Sequence, residues 1–297
     1  MDNTFITVFT PTFNRKSELE RLYLSLISQT DLRFEWLIVD DGSTDGTEKM
    51  VVSWIDASPF PIRYIKQVNS GKHVAHNHGA AEASGEYFIC VDSDDWLEPN
   101  AIETILFDSS VLDTKEGLLY PKLFTGQTAL DMWFPRGVGK IELSDMRMKY
   151  GLVIETAIVF NTEVLRGHPF PVVAGEHYIP EGSAYYDFRA PESFVVRKEP
   201  FYRCEYLDEG LTRNIWKNWL YNPIGTRMAL VKRYKAAGRY KGVRSLREKV
   251  SAIAGIESLN MECGERIFEA CPATVLRFAV LPVAKYLKIK RYKTCRL

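Results

Sequence analysis

Apolar runs and polar stops alternate through roughly the first third of the chain. Phe5-Ile6-Thr7-Val8-Phe9-Thr10, Phe34-Glu35-Trp36-Leu37-Ile38-Val39, Pro61-Ile62-Arg63-Tyr64-Ile65 and Tyr87-Phe88-Ile89-Cys90-Val91-Asp92 have the pattern of short buried strands. Helical periodicity fills the gaps. Leu19, Leu22, Tyr23, Leu26 and Ile27 share one helical face, behind a Ser17/Glu20 capping box. Met50, Val51, Trp54 and Ile55 mark a second helix, and an alanine-rich third runs from Asn69-Ser70-Gly71-Lys72 to near Gly85. Alternation of this kind with short connections predicts an α/β fold: a mostly parallel sheet flanked by helices.

After Pro99 the alternation weakens. A helix is expected over about 100–108, and strands at Leu118–Tyr120, Val153–Phe160, Phe194–Val196 and Phe201–Cys204. The stretch around Trp133, Pro135 and Gly137 reads as loop. From Ile215 the pattern is helical and basic, which divides the chain into a domain over 1–212 and a helical C-terminal region over 213–297.

Composition adds little except in the tail. Net charge is +0, so nothing favours a nucleic-acid partner. The five cysteines are scattered, odd in number and without a Cys-x-x-Cys, as expected for reduced thiols. Met1-Asp2-Asn3-Thr4 lacks the start of a signal peptide, and no apolar run reaches the roughly 20 residues of a spanning helix. A cytoplasmic location is therefore expected. The tail is apolar over Leu276–Pro282 and then basic, with Lys285, Lys288, Lys290, Arg291, Lys293 and Arg296. Residues 274–297 could lie on an anionic membrane surface or dock as a solvated helix on their own domain.

Candidate chemistry sits where the strands stop. Thr10 to Asn14, Asp40-Asp41, Asn69 to Lys72 and Asp92 to Asp94 each follow a strand, and in a parallel sheet such positions share one edge. A buried strand delivering three carboxylates within four positions, Asp92, Asp94 and Asp95, is costly unless they meet a cation. Asp92-Ser93-Asp94 thus reads as a divalent-metal site carrying a ligand's diphosphate. The bland reading is a strand end with Asp95 capping the helix that begins at Pro99. No Gly-x-Gly-x-x-Gly follows the first strand and no Walker loop exists; Gly137-Val138-Gly139 is an ordinary loop. His73, His76 and His78 do not share a helical face, which disfavours zinc; Lys72 and His73 read better as phosphate or base neighbours.

Taken together, Thr10-Pro11-Thr12-Phe13-Asn14-Arg15, Val39-Asp40-Asp41-Gly42-Ser43-Thr44-Asp45-Gly46-Thr47, Asn69-Ser70-Gly71-Lys72 with Ala75-His76-Asn77-His78-Gly79, and Val91-Asp92-Ser93-Asp94-Asp95 resemble family 2 glycosyltransferases over about residues 4–108. A weaker similarity, over Gly175–Glu181 and Cys204–Thr212, is to bacterial enzymes that build capsules and other surface polysaccharides. The resemblance implies a GT-A (Rossmann-like nucleotide-binding) fold and inverting transfer. The donor would be a nucleotide-diphosphate sugar, UDP-linked by expectation, and the acceptor a saccharide or lipid-linked saccharide. It puts Thr10, Pro11 and Phe13 around base and ribose, with Asp41 accepting from a pyrimidine N–H. Asn14, Lys72, Asn77 and Ser93 complete the nucleotide-sugar site. Asp92 would contact ribose or metal, and Asp94 would ligate Mg²⁺ or Mn²⁺. The general base is expected at Glu181, where the family carries an acidic pair; Glu176 and Asp187 are rivals, and Gly182 stands in place of the second acid. An arginine often precedes the asparagine where this chain has His76, so that nucleotide contact is expected to be weaker or replaced. Two other readings stand beside this one. A sugar nucleotidyltransferase would need a glycine-rich, arginine-containing first loop that Pro11-Thr12-Phe13-Asn14 does not supply. A non-catalytic nucleotide-sugar or polysaccharide-binding subunit would have no need of Asp92, Asp94 and Glu181.

Overall fold

The computed structural model describes residues 5–127, 130, 132–205, 214–266, 272 and 276–296. The chain divides into two compact units. Unit 1 comprises residues 1–143, 152–169 and 189–206; unit 2 comprises 144–151, 170–188 and 207–297. The segment 170–188, with Glu181, thus clusters with the C-terminal helices.

Unit 1 begins with the alternation expected of it: β1 (Ile6–Thr12), α1 (Lys16–Ile27), β2 (Phe34–Asp40), α2 (Thr47–Ile55), β3 (Ile62–Lys66), α3 (Lys72–Glu82) and β4 (Tyr87–Cys90). These strands lie in the order β3-β2-β1-β4 and run parallel. Successive side chains of a strand face opposite ways. Ile6 and Val8 therefore join Leu19, Leu22 and Leu26 of α1 in one core, while Phe9 turns to the other face and stacks on Phe88 beside His76 of α3. A buried polar tie shares that second face. The Thr7 hydroxyl donates to Glu35 Oε1 at 2.7 Å and the Ser84 N–H does so at 2.7 Å, with Arg63 at 3.4 Å from Oε2. Burial alone would raise the Glu35 pKa, but these donors and Arg63 hold it below its ordinary range.

The rest of unit 1 widens the sheet. After β5 (Trp96–Leu97) and α4 (Ala101–Ser109) come β6 (Gly117–Phe124) and β7 (Lys140–Ile141); the short turn α5 (Leu143–Asp145) leads out of the unit, which resumes with β8 (Thr156–Asn161) and α6 (Thr162–Arg166). β8 pairs antiparallel with both β4 and β6, which makes the sheet mixed.

Unit 2 contains a π-helical turn Met146–Tyr150, α7 (Gly182–Tyr185), α8 (Ile215–Tyr221), α9 (Pro223–Ala237), α10 (Val243–Cys263) and α11 (Leu276–Tyr292). In unit 1, β9 (Phe194–Val196) and β10 (Tyr202–Cys204) pair in parallel with β6, where strands were expected. Within unit 2, α11 docks on α10 through Val280, packed with Ile253 and Ala254. Glu248 of α10 is held between Arg147 and Arg233, with Arg147 Nε at 2.7 Å.

Several local expectations change. Ser17 bonds Glu18 and no capping box forms; instead the Lys16 N–H donates to Asp45 Oδ2 at 3.0 Å. A tertiary acceptor has replaced the local one. Ile27 and Ile55 lie at the exposed margin of their helices. The strand expected over 87–92 stops at Cys90, and the one expected from Val153 starts at Thr156. Strands β5 and β7, of two residues each, are too short to leave a period in the sequence. The four described cysteines are free thiols; Cys271 lies outside the described residues, as do 206–212 of the weaker motif. Among the described residues no helix is long and apolar enough to cross a membrane.

Candidate active site at the strand-end edge

The sheet order fixes where a ligand can enter. From β1 the chain steps outward to β2 and β3, then returns to place β4 on the other side of β1. The connections after β1 and β4 therefore diverge, leaving a crevice at the carboxyl edge of the strands. Arg15, after β1, and Asp94, after β4, approach each other at that edge.

Loops after β1, β2 and β3 are tied together before any ligand is considered. Asn14 adopts a left-handed backbone (φ +50°), a conformation that asparagine tolerates. Its Oδ1 accepts the Thr44 N–H at 2.8 Å and its own N–H donates to Ser43 Oγ at 2.8 Å. Asp40 accepts the Ser43 N–H and the Tyr64 hydroxyl. The buried Asp41 organises the next loop: Oδ1 accepts from Gln67 Nε2 and the Ser70 N–H, and Oδ2 from the Gly71 N–H, each at 2.8 Å. Gly71 starts α3 at φ +94°, where a side chain would be strained. A carboxylate offers about four acceptor positions, and these bonds take three of them on Asp41. The Thr10 hydroxyl is fully buried and accepts from the Trp36 indole at 3.0 Å, so its side chain belongs to the core. Pro11 is buried beside it, and Phe13 is exposed at the edge.

Opposite lies the carboxylate turn. Asp92 Oδ1 is 2.7 Å from Lys72 Nζ, at the first turn of α3. Burial opposes ionisation of Asp92, but Lys72 and Lys122 outweigh it and hold the carboxyl below its ordinary range. Asp94 Oδ2 is 3.7 Å from Arg15 Nη1. Burial first, and then the nearby Asp92 charge, push the Asp94 pKa up against the pull of Arg15. Ser93 is buried between them.

Asp95 is no helix cap. It is buried, accepts the Tyr202 hydroxyl at 2.8 Å and lies 3.5 Å from Lys122 Nζ. α4 starts at Ala101 instead, after Asn100. The Tyr202 oxygen also accepts the Asp92 N–H at 3.0 Å, and Lys122 sits 4.0 Å over the Tyr202 ring. The Glu98 N–H bonds the Phe201 carbonyl at 2.8 Å, which locks the turn to β10. Burial pushes Asp95 up against Lys122, while Lys122, which burial would lower, is held charged by Asp95 and Asp92. The sequence carried one signal for this support: a lysine inside the apolar run 118–124, which needs a buried partner. Tyr202 left no signal, because its partners are about a hundred residues away.

His76 and His78 make contacts within the fold. His76 is buried edge-on against Phe9 and Phe88, and its pKa is pushed down to about 3 by burial and then by Lys72. It is a neutral ring, and Lys72 one turn earlier is the charged residue of that face. His78 Nδ1 meets Gln67 at 3.2 Å. Asn77 lines a cavity of about 350 Å³ with His76, Ala80, Leu165 and Arg166.

Among the described residues no three His, Cys, Asp or Glu side chains could enclose a metal ion. Two adjacent carboxylates of oxygen character nevertheless fit a hard divalent cation, such as Mg²⁺, that completes its shell with phosphate oxygens and water. Burial first, and then the Asp92 charge, disfavour an ionised Asp94, and a bound cation would offset both.

In unit 2 the three acidic candidates separate. Glu176 accepts the Ile224 and Gly225 N–H groups at 2.7 Å each, capping α9; a Cβ on Gly225 would stand 2.7 Å from Ile179. Asp187 is ion-paired with Lys232. Glu181 is exposed, and its carbonyl accepts the Ala184 and Tyr185 N–H groups that open α7.

Known proteins resemble this chain in its first hundred residues and in its fold. Residues 7–107 match the family model described as Glycosyl transferase family 2. Glycosyltransferase GlyA of Streptococcus pneumoniae is 38% identical over 100 residues, which are 34% of this chain and 14% of that protein. The structure of S. aureus TarS in complex with UDP aligns over 98% of this chain and 90% of its own, at 18% identity and a TM-score of 0.57. The mannosyltransferase PcManGT from Pyrobaculum calidifontis, in complex with GDP-Man and Mn²⁺, aligns over 99% of this chain and 84% of its own, at 19% identity and a TM-score of 0.50.

Proposed function

We propose that the protein is an inverting glycosyltransferase, because residues 7–107 match the glycosyl transferase family 2 model and the fold is of the GT-A type. It would move a sugar from a nucleotide-diphosphate donor, a UDP-sugar by preference, to a hydroxyl of a saccharide or lipid-linked saccharide. The observation that carries this reading is the carboxylate turn Asp92–Asp94 at the β1/β4 switch point, facing cations on α3 and the β1 loop. UDP and GDP-Man in proteins of the same fold support a nucleotide-sugar donor.

The assigned roles follow from position. Pro11, Phe13 and the remaining acceptor position of Asp41 hold the nucleoside, with Asn14 keeping the two loops in register. Lys72 and the first turn of α3 take the diphosphate, replacing the cation that His76 cannot provide. Asp92 and Asp94 hold Mg²⁺ or Mn²⁺, which would supply charge neutralisation to the leaving diphosphate. Tyr202 and Asp95 keep that turn in shape. Glu181 takes the proton of the incoming hydroxyl. The test is a panel of nucleotide sugars scored for hydrolysis and thermal stabilisation with and without Mn²⁺. One donor should raise the melting temperature and be hydrolysed only with metal; metal-independent binding without turnover would favour the non-catalytic alternative.

The tail supports a membrane-surface role for unit 2. While Val280 and Ala284 face inward, Phe278, Val283, Tyr286 and Ile289 are exposed together with Lys285 and Lys290. That combination suits acyl-chain contact and anionic headgroups, at about 1 kcal/mol per basic residue. Substituting Phe278→Ser, Ile289→Ser, Lys285→Glu and Lys290→Glu leaves the inward face intact. The variant should lose at least about tenfold in affinity for phosphatidylserine vesicles in sedimentation. If the wild-type chain never sediments with them, α11 is purely structural.

A further inference from the structure

The carboxylates that the proposed function gives to a metal already have cations. Lys72 Nζ lies 2.7 Å from Asp92 Oδ1, and Arg15 Nη1 lies 3.7 Å from Asp94 Oδ2. A divalent ion needs carboxylate oxygens at about 2.0–2.6 Å. An ammonium seated on Asp92 therefore competes for the same electrons and repels the ion by charge. The third cation of the cluster differs in kind. Lys122 is nearly enclosed, with 10% of its side chain exposed, and stays on the buried Asp95 over the Tyr202 ring. Lys72 and Arg15 keep 34% and 23% of their side chains exposed, on flexible stems that can turn towards the crevice.

We propose that Lys72, assisted by Arg15, is a built-in countercation that blocks metal entry until a nucleoside diphosphate draws it away. Resting on the reading of Asp92–Asp94 as a metal site, this deepens it to an order of binding. In the nucleotide-free protein Lys72 neutralises Asp92, and Mn²⁺ binds weakly. When a diphosphate arrives, Lys72 exchanges Asp92 for a phosphate oxygen, and the vacated carboxylate accepts the ion. Lys72 thus opposes metal alone and holds the diphosphate when nucleotide is present, so metal and nucleotide bind as a strongly coupled pair. A single opposite charge at this distance changes a carboxylate's affinity for a proton by about one to three orders of magnitude. The effect on a divalent cation should be at least as large as the lower figure.

Calorimetric titration of Mn²⁺, with and without UDP and then GDP as probes, measures this coupling directly. Lys72→Met should bind Mn²⁺ alone about tenfold more tightly than wild type while binding UDP with Mn²⁺ about tenfold more weakly. Lys72→Arg keeps the charge and should behave as wild type, and a ligand-free thermal melt of Lys72→Met that matches wild type excludes a folding defect. Unchanged or weaker Mn²⁺ affinity in nucleotide-free Lys72→Met, with wild-type coupling to UDP, overturns the proposal. The metal reading itself fails differently: no protein binds Mn²⁺ with either nucleotide, and Asp94→Asn is indistinguishable from wild type.

Discussion

Asp94→Asn should weaken Mn²⁺-dependent binding of UDP by at least about a hundredfold, since even residues that merely orient a metal ligand cost 10- to 100-fold. The substitution keeps the shape of the side chain and removes its charge. Asp94 is suited to such a test because its carboxylate touches little else: Arg15 is at 3.7 Å, and the fold contact to Arg21 is made by the Asp94 carbonyl. Asp95 would be a poor choice, since removing its charge would strand the enclosed Lys122. Calorimetry with and without Mn²⁺ reads the loss, and a thermal melt without ligand should match wild type. A pH series adds a sign. Burial and the neighbouring Asp92 raise the Asp94 pKa, so a proton competes for it sooner than for an ordinary aspartate. On acidification, metal-dependent affinity in the wild type should therefore fall at a higher pH than an ordinary aspartate would give. Metal-dependent affinity in Asp94→Asn equal to that of wild type would remove Asp94 from the site.

Glu181→Gln should lower turnover by roughly 10²-fold or more, the usual worth of a positioned base, and leave nucleotide affinity almost unchanged. Within unit 2, Glu176 and Asp187 are the alternatives to this assignment. Glu176 uses both carboxylate oxygens on the α9 N-terminus, and Asp187 is paired with Lys232. Glu181 is exposed on a turn whose backbone is held by the first bonds of α7. Glutamine keeps size and hydrogen bonding but cannot take a proton. With a donor in hand, transfer rate and nucleotide affinity are measured on the same variant. Wild-type turnover would reassign the base. Equal losses in both quantities would make Glu181 part of the donor site.

Much of unit 1 could be read before any coordinate was known, because its signals are local. A buried strand shows as an apolar run and a flanking helix as a repeat of three and four, so β1 to β4 and α1 to α3 stand where those patterns put them. Misreadings occurred where a distant group outcompeted a near one. Asp45 bonds the start of α1 in place of the Ser17/Glu20 box, and Tyr202 and Lys122 claim the Asp95 that looked like a helix cap. Elements as short as β5 and β7 have no period to detect.

For the site the division is similar. The strand-end motifs, and with them Asp41, Lys72, Asp92 and Asp94, were determined by the sequence, since in a parallel sheet every strand end faces the same edge. What the side chains do there was not. Three carboxylates within four positions have one local appearance but three partners: Asp92 meets Lys72, Asp94 meets Arg15 and Asp95 meets Lys122. Those pairings depend on the strand order β3-β2-β1-β4 and on β6 and β10 arriving beneath the turn. Electrostatic energy depends on separation in space, and tertiary packing alone brought these charges within reach of one another.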